Sequence, residues 1–495
     1  MADNTWTISI PDPANPSGAV FDGLVPVYYA NSYPMFGNKN QLASMANIDI
    51  LDPNVLTQGP GPVALTNGTQ AGVVSTLIRG ILRSPISAGY CYAVGGSKFY
   101  EFTPTTVTSS AAWPHTITAI GITDIMAEDV VYYHGDLYYS WSSSLSNVGD
   151  IGQYKVPNFS DDWGYGHISG AGWLSSTSHQ MVVGGDDVVY FANGQYVGLF
   201  NTTILNRLAL DFNSGSVVSS LTWNFGRLVI AVNFPNITTG GLLASGIYTW
   251  DGITSSWESD PIRVTGFIGA LYSKNNVTYV WWQEGGQAST YNLGYISSGV
   301  LHPIRRLSGT LPLYYQVGEF NGFLAWISDG LVYLFGSNEE AIIPVKLFQY
   351  TKSFYTSGGG IGCPFGSLLT ASYSTTNFNL CKASGYTVDS NFKTKSFRIG
   401  GAGVASFIDL IQIETEQLAT GAKCDFTLYW DKAKSNEALT QIAYSATDNA
   451  TLHRILNKSY RAEDFQLYGS FANGSTTNPV KIRSILIKGH IVPEN

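Results

Sequence analysis

The chain has 495 residues and a formal charge of −9, and its charged fraction of 12% is about half the ~25% of an ordinary soluble protein. No basic run is present, which argues against a protein that grips nucleic acid, because Lys and Arg neutralising phosphate supply most of that affinity. With so few charges the surface must be wetted by Ser, Thr, Asn, Gln and Tyr, a texture of rigid, extracellular-style or assembly-embedded proteins rather than cytosolic enzymes.

Residues 1 to 72 are rich in Pro, Asn and Gly, as in Pro11-Asp12-Pro13 and Gln58-Gly59-Pro60-Gly61-Pro62, and show little sustained periodicity. They read as an extended arm laid over another surface, since such a segment orders when it has a partner. Met1 to Trp6 lack a basic stretch leading into an apolar one, so no secretory signal is expected, and no apolar run approaches the ~20 residues that span a bilayer. The Asn-x-Ser/Thr triplets at Asn67, Asn158, Asn201, Asn236, Asn276, Asn449, Asn457 and Asn473 are then expected to reflect composition rather than glycosylation.

From 73 to 390 one phrase recurs: an alternating aliphatic and aromatic run, a tight turn, and another such run. It reads Val130-Val131-Tyr132-Tyr133-His134-Gly135-Asp136-Leu137-Tyr138-Tyr139, returns at 188–197 around Asn193-Gly194, and again at 318–326 around Asn321-Gly322. Weaker copies surround Gly95-Gly96, Phe225-Gly226 and Asn275-Asn276, and further hairpins carry Asp251-Gly252 and Asp329-Gly330. Such turns need positive φ, which Gly and Asn supply at little cost, and their twist matches that of the flanking strands. A spacing of roughly 40 to 60 residues is that of a four-stranded propeller blade with variable loops. The expectation is an all-β fold whose body is a β-propeller of about six blades, with seven allowed.

After residue 391 the texture changes to strict alternation, in Phe407-Ile408-Asp409-Leu410-Ile411-Gln412-Ile413, in Cys424-Asp425-Phe426-Thr427-Leu428-Tyr429-Trp430 and in the closing run 480–490. One wet face and one buried face over 391–495 predict a separate C-terminal β-sandwich.

Residues that carry chemistry are dispersed. His115, His134, His167, His179, His302, His453 and His490 show no paired ligand spacing, and Cys91, Cys363, Cys381 and Cys424 form no Cys-x-x-Cys pair, so no metal site is assigned. For Cys363 and Cys381 a disulfide and two buried thiols both remain open. The Gly-rich stretch 357–362 lacks a following helix pattern and reads as a loop rather than a phosphate cradle. Asp161-Asp162 and Asp186-Asp187 are carboxylate pairs of the kind glycosidases use, but neighbours on a strand point to opposite faces and turn acids are common. Thr249-Trp250-Asp251-Gly252-Ile253-Thr254 approaches the aspartate box of propeller sialidases without its residue order. No catalytic and no cofactor-binding residue is assigned, and Trp163, Tyr165 and Trp173 are the candidates for stacking on a glycan.

The run from His179-Gln180-Met181 through Asp187 to Gly198, Leu208-Ala209-Leu210, Ser219 to Asn224 and Leu228 to Ala231 resembles propeller proteins of tailed bacteriophages. So do the continuation Gly246 to Gly252 and the sandwich opening Lys395-Ser396-Phe397-Arg398-Ile399-Gly400. The resemblance is to tail nozzle, or packaged-DNA stabilisation, proteins of short-tailed phages, and it is one of layout over residues 75 to 495. It implies a virion structural protein, assembled in the host cytoplasm and present in several symmetric copies around a tail axis. It further implies partners among its own copies and neighbouring tail, portal or adaptor proteins, with DNA passing unbound. The Pro-rich arm and the low charge lie outside that pattern. The alternative is a virion-exposed propeller that binds a receptor or a host surface glycan.

Overall fold

Left-handed backbone at short turns sets the local architecture. In the computed structural model His134–Gly135 (φ 49° and 92°), Phe225–Gly226 (49° and 73°), Asn275–Asn276 (47° and 63°), Asn321–Gly322 (47° and 78°) and Asp329–Gly330 (49° and 73°) hold both central residues at positive φ. This is the type I′ pattern, whose twist continues that of the strands it joins. Two phrases turn differently. Strand register pairs Asn193 with Tyr196 and Gly95 with Lys98, so Gly194-Gln195 and Gly96-Ser97 are the turn residues, with glycine first as a type II′ turn requires.

The structure describes residues 5–11, 42–52, 54–65, 77–83, 86, 89–109, 113–117, 122–155, 179–201, 204–234, 244–258, 260–285, 289–336, 346–352, 359–373, 378–386, 389–398, 405–431, 433–445, 451–456, 458–472, 475 and 477–492. Among them the regular structure is strand, apart from one turn of 3-10 helix at Tyr314–Gln316. The chain divides into two compact units, one of residues 64–330 and 353–382, the other of residues 1–63, 331–352 and 383–495.

The body is a seven-bladed β-propeller, so the larger of the two expected blade numbers holds. Blade 1 comprises Gly80–Ile81, Cys91–Gly95, Lys98–Phe102 and His115–Thr116, and blade 2 shows, among the described residues, Met126–Tyr133, Asp136–Ser143 and Val148–Lys155. Blade 3 comprises Met181–Val183, Val189–Asn193, Tyr196–Phe200 and Leu205–Asp211, and blade 4 Val217–Asn224, Arg227–Phe234, Ala244–Trp250 and Ile262–Thr265. Blade 5 comprises Phe267–Lys274, Val277–Gln283, Thr290–Ser297 and Val300–Ser308, and blade 6 begins with Val317–Phe320 and Phe323–Ser328 and continues in strand order to Lys346–Lys352. Blade 7 takes Ile361–Gly362, Leu369–Tyr373 and Phe378–Ala383, and its fourth strand, Pro62–Ala64, comes from far upstream. The Leu65 N–H donates to the Leu380 carbonyl at 2.9 Å beside it.

Aromatic side chains fill the spaces along and between blades. Phe99 meets Tyr139 at 5.8 Å and Tyr154 at 5.5 Å between ring centres, and Trp113 joins the same cluster. The Trp281 and Trp326 rings meet at 5.7 Å, and the Trp326 indole donates to the Tyr291 hydroxyl at 2.7 Å. Each such burial contributes on the order of 1.5 to 3 kcal/mol before entropy is counted.

The second unit contains a sandwich of two seven-stranded sheets. Lys481–Val492 and Ala405–Thr415 centre one sheet; Asp464–Ala472 and Lys423–Trp430 centre the other. Alternation does what the sequence predicts: Cys424, Phe426 and Leu428 point inward while Asp425, Thr427 and Tyr429 are less buried. Ring contacts cross between the sheets, Trp6 to Phe465 at 5.7 Å and Trp430 to Tyr460 at 5.1 Å.

The expected arm is placed differently from its reading. Its described residues are strands of the chain's own sheets: Thr5–Ile10 pairs with residues 485–490, Leu42–Ala46 with Ser390–Thr394, and Leu56–Gln58 with Lys481–Val492. Residues 5–10, 42–46 and 56–58 are thus ordered by the C-terminal sandwich, which draws on residues well before 391, and Pro62–Ala64 by blade 7. Trp6-Thr7-Ile8-Ser9-Ile10 has the alternation of a half-buried strand, and Ile8 and Ile10 are buried. Residues 12–41 and 66–72 of the expected arm lie outside the described residues.

Candidate functional site

The innermost strands share a local irregularity. In blades 2, 4 and 5 the register slips between Ala127 and Asp129, Val218 and Ser220, and Ile268 and Ala270, the same place in each strand. A bulge turns an extra residue out of the ladder and re-aims its neighbours. In blades 2 and 4 it places a polar residue, Asp129 or Ser220, where it meets the next blade; in blade 5 that residue is Ala270, and blade 3 makes the same contact from Gln180, just before its innermost strand. Asp129 Oδ2 accepts the Met181 N–H at 2.8 Å, Gln180 Oε1 accepts the Leu221 N–H at 2.7 Å, and Ser220 Oγ accepts the Leu271 N–H at 2.9 Å. Each acceptor stands one residue before the position whose N–H is taken in the following blade. Gln180 also donates to the Leu221 carbonyl at 2.9 Å. Blades 2 to 5 are thus stitched in series.

Glu128 reinforces the first stitch. Its Oε1 accepts from Ser142 Oγ at 2.8 Å and from the Arg79 guanidinium at 3.4 Å, and its Oε2 accepts the His179 N–H at 2.7 Å. The same bulge thus gives blade 2 two adjacent buried carboxyls, both committed to backbone N–H groups.

Inside the ring lies a cavity of about 670 Å³, lined from the innermost strands of blades 1, 2, 3, 5, 6 and 7, which puts it on the propeller axis. Its charged lining is mixed: Arg79 and Arg83 against Asp129 and Glu319. The Arg79 guanidinium lies over the Tyr315 ring at 5.6 Å, and Arg83 over the Tyr272 ring at 5.0 Å. Glu319 Oε1 meets Lys274 Nζ at 2.9 Å, and that ammonium also donates to the Gly322 carbonyl. Tyr314 and Tyr315, on the 3-10 turn that leads into blade 6, narrow the channel. Gly269 allows that connection to pass close, because a Cβ there would collide with the Pro312 carbonyl.

Burial sets the protonation of this lining. It pushes the Asp129 carboxyl up to about 7, against the lowering effect of the Met181 and Val130 N–H groups and of Arg83. It pushes the Cys363 thiol up to about 12, and raises Tyr272 and Tyr315 as well. At neutral pH this thiol and these two phenols are neutral.

Of the residues singled out from sequence, Cys363 lines this cavity, as do Ile361 and Gly362 of the Gly-rich stretch, while the described histidines and the Asp186-Asp187 pair lie elsewhere. Asp186 and Asp187 form a turn that ties blades 2 and 3: Asp186 Oδ2 accepts from the Tyr190 hydroxyl at 2.5 Å, Asp187 O from the Tyr133 hydroxyl at 2.8 Å, and Asp187 Oδ2 meets His134 Nε2 at 2.8 Å. His179 is buried on the Ala192 carbonyl, His302 stacks on Tyr295, His453 contacts Thr415 and His490 contacts Asp409. His115 lies on the outer strand of blade 1. Among the described residues no group of His, Cys, Asp and Glu could hold a metal ion. All four cysteines are free thiols, Cys363 and Cys381 included. Asp251 Oδ1 accepts from the N–H groups of Ile253 and Thr254 and from the Thr254 hydroxyl, each at 2.9 Å, which makes the box-like string a capped turn. Asp161, Asp162, Trp163, Tyr165, His167 and Trp173, and residues 357 and 358 of the Gly-rich stretch, lie outside the described residues.

Arg79, Arg83, Tyr272 and Tyr315 were not singled out from sequence. Aligning the hairpin phrases on their turns would have brought Asp129 and Ser220 into one column, but neither Gln180 nor the arginines.

No protein-family model matches the sequence, and no curated protein matches it. Solved structures with similar folds include exo-beta-1,3-galactanase from Phanerochaete chrysosporium, at 10% identity and TM-score 0.31, covering 87% of this chain and 100% of that one. They also include the computationally designed Ika8 protein, at 9% identity and TM-score 0.38, covering 66% of this chain and 100% of that one. A third is the extracellular domain of the putative one-component system BT4673 from B. thetaiotaomicron, at 11% identity and TM-score 0.43, covering 71% of this chain and 43% of that one. At scores this low nothing of these proteins' functions transfers to the chain.

Proposed function

We propose that the chain is a structural component of a bacteriophage virion, a tail protein of the nozzle, hub or ring kind that assembles as a symmetric oligomer. The observation that supports this most is the stitching of blades 2 to 5, in which every rung fixes one innermost strand against the next. A polar ladder of this kind rigidifies and specifies one arrangement when every member is satisfied. A fourth strand of blade 7 taken from residues 62–64 makes that sheet from distant parts of the chain, which suits a rigid body. The order of hairpin phrases, similar to that of phage propeller proteins, supplies the virion context.

In this reading the partners are copies of the same chain and neighbouring tail, portal or adaptor proteins. The net charge of −9 favours DNA passing a surface without sticking. The role is architectural rather than catalytic, and the place is the virion, assembled in the host cytoplasm. Native mass spectrometry of the purified chain tests the reading: one defined oligomer across a wide concentration range is expected. A chain that stays monomeric at every concentration would overturn it.

A further inference from the structure

The charged side chains of the channel are not equally engaged. Arg79 is taken by Glu128, Lys274 by Glu319, and Asp129 by two backbone N–H groups. Arg83 is exposed, and among the described residues no carboxylate lies within ion-pair distance of it. Its contact is the Tyr272 ring, with the guanidinium 5.0 Å from the ring centre. A guanidinium held over an aromatic face keeps its in-plane N–H fork available, and that fork matches a carboxylate in two parallel hydrogen bonds.

The surroundings of Arg83 narrow the ligand. Tyr132, 44% exposed, lines the same cavity, so a second flat apolar face is open to a ligand there. Glu319 spends one oxygen on Lys274, which leaves an acceptor in the same cavity, and Asn321 adds an amide. Acceptors of this kind call for a ligand rich in hydroxyl donors. A phosphate offers few donors to such acceptors. A single carboxylate on a polyhydroxylated ring satisfies both needs, and its C–H faces fit tyrosine rings. The volume of about 670 Å³ lies within the roughly 300 to 1,000 Å³ of small-molecule sites.

We propose that the propeller channel binds an acidic sugar, a pyranose bearing one carboxylate, with Arg83 holding the carboxylate and Tyr272 and Tyr132 packing against the ring. This goes beyond the architectural role and does not depend on it. The sugar reaches the site either free or as the end of a glycan.

The test is titration calorimetry on the full chain with N-acetylneuraminic, glucuronic and galacturonic acids, against galactose, glucose and acetate. At least one acidic sugar should bind saturably, with its neutral counterpart and acetate weaker by about 10-fold or more. Arg83→Gln should lower that affinity by about 10- to 100-fold, the range of a charge-assisted contact, with Arg83→Lys in between. Tyr132→Ala, at an exposed position, should weaken binding without unfolding the chain, and serves should Tyr272→Ala not fold. An array of sialylated and uronate-ended glycans separates the terminal from the free ligand. Failure of all three acids to bind, equal binding of neutral sugars, or undiminished binding by Arg83→Gln overturns the proposal. An oligomer that binds none of the acids would sink this site alone, whereas a monomer that binds one would sink the architectural reading alone.

Discussion

Gly226 and Gly252 show how one backbone angle can carry two different costs. Both are left-handed, at φ 73° and 80°, but a Cβ at Gly226 meets open space whereas one at Gly252 would collide with the Tyr190 hydroxyl. Tyr190 cannot easily yield, since it bonds Asp186 and stacks on Trp223 at 5.7 Å. Gly226→Ala should therefore cost about 1 kcal/mol, the penalty of the left-handed region. Gly252→Ala should cost clearly more by thermal melting, and Tyr190→Phe should return part of the excess. Equal losses at the two glycines would contradict the packing described. Asp129 makes a second residue-level prediction. Its usual value of 3.8 is raised to about 7 in the fold, so the folded chain keeps a proton that the unfolded chain has lost. The stability it contributes is complete below the unfolded value and is lost as pH rises through the folded one. Melting temperature should fall between about pH 4 and 7 more steeply in the wild type than in Asp129→Asn. Parallel profiles would show that Asp129 is not held in its protonated form.

At the scale of elements, hairpins were legible because their cause is local. Phe225-Gly226 and Asn275-Asn276 announce positive φ in two letters, and the strands beside them alternate. The stitching between blades was not legible, because Asp129, Gln180 and Ser220 do the same work with three different chemistries. Their partners also stand 52, 41 and 51 residues on, beyond any local pattern. Asn193-Gly194 was legible as a turn but not in register, since the pairing of Asn193 with Tyr196 moves the turn one residue along. The ladder makes a prediction of its own. Ser220→Ala strands the buried Leu271 N–H and should cost about 1 to 3 kcal/mol by urea unfolding. Ser219→Ala, whose hydroxyl makes one long bond of 3.5 Å to the Ala231 carbonyl, should cost much less. If the two variants unfolded alike, the ladder would not be what fixes the innermost strands.

On the scale of the whole molecule, the all-β class, the propeller and the sandwich followed from periodicity, and the blade number was left between six and seven. Blade 7 was hard to read because its innermost strand, Ile361–Gly362, is two residues long and its outermost comes from 62–64. The N-terminal strands were masked by the Pro- and Asn-rich sequence around them, although Trp6-Thr7-Ile8-Ser9-Ile10 alternates. The channel was least legible, since a ring brings Arg83 and Tyr272 together from positions that share no motif. The central claim is that this stiff ring-shaped body serves as a building block of a phage tail. Electron cryo-microscopy of the intact particle tests it most directly: several copies of the chain, set around the tail axis and touching one another, are the predicted result. Particles that lack the chain, or carry it as one isolated copy without neighbours, would contradict it.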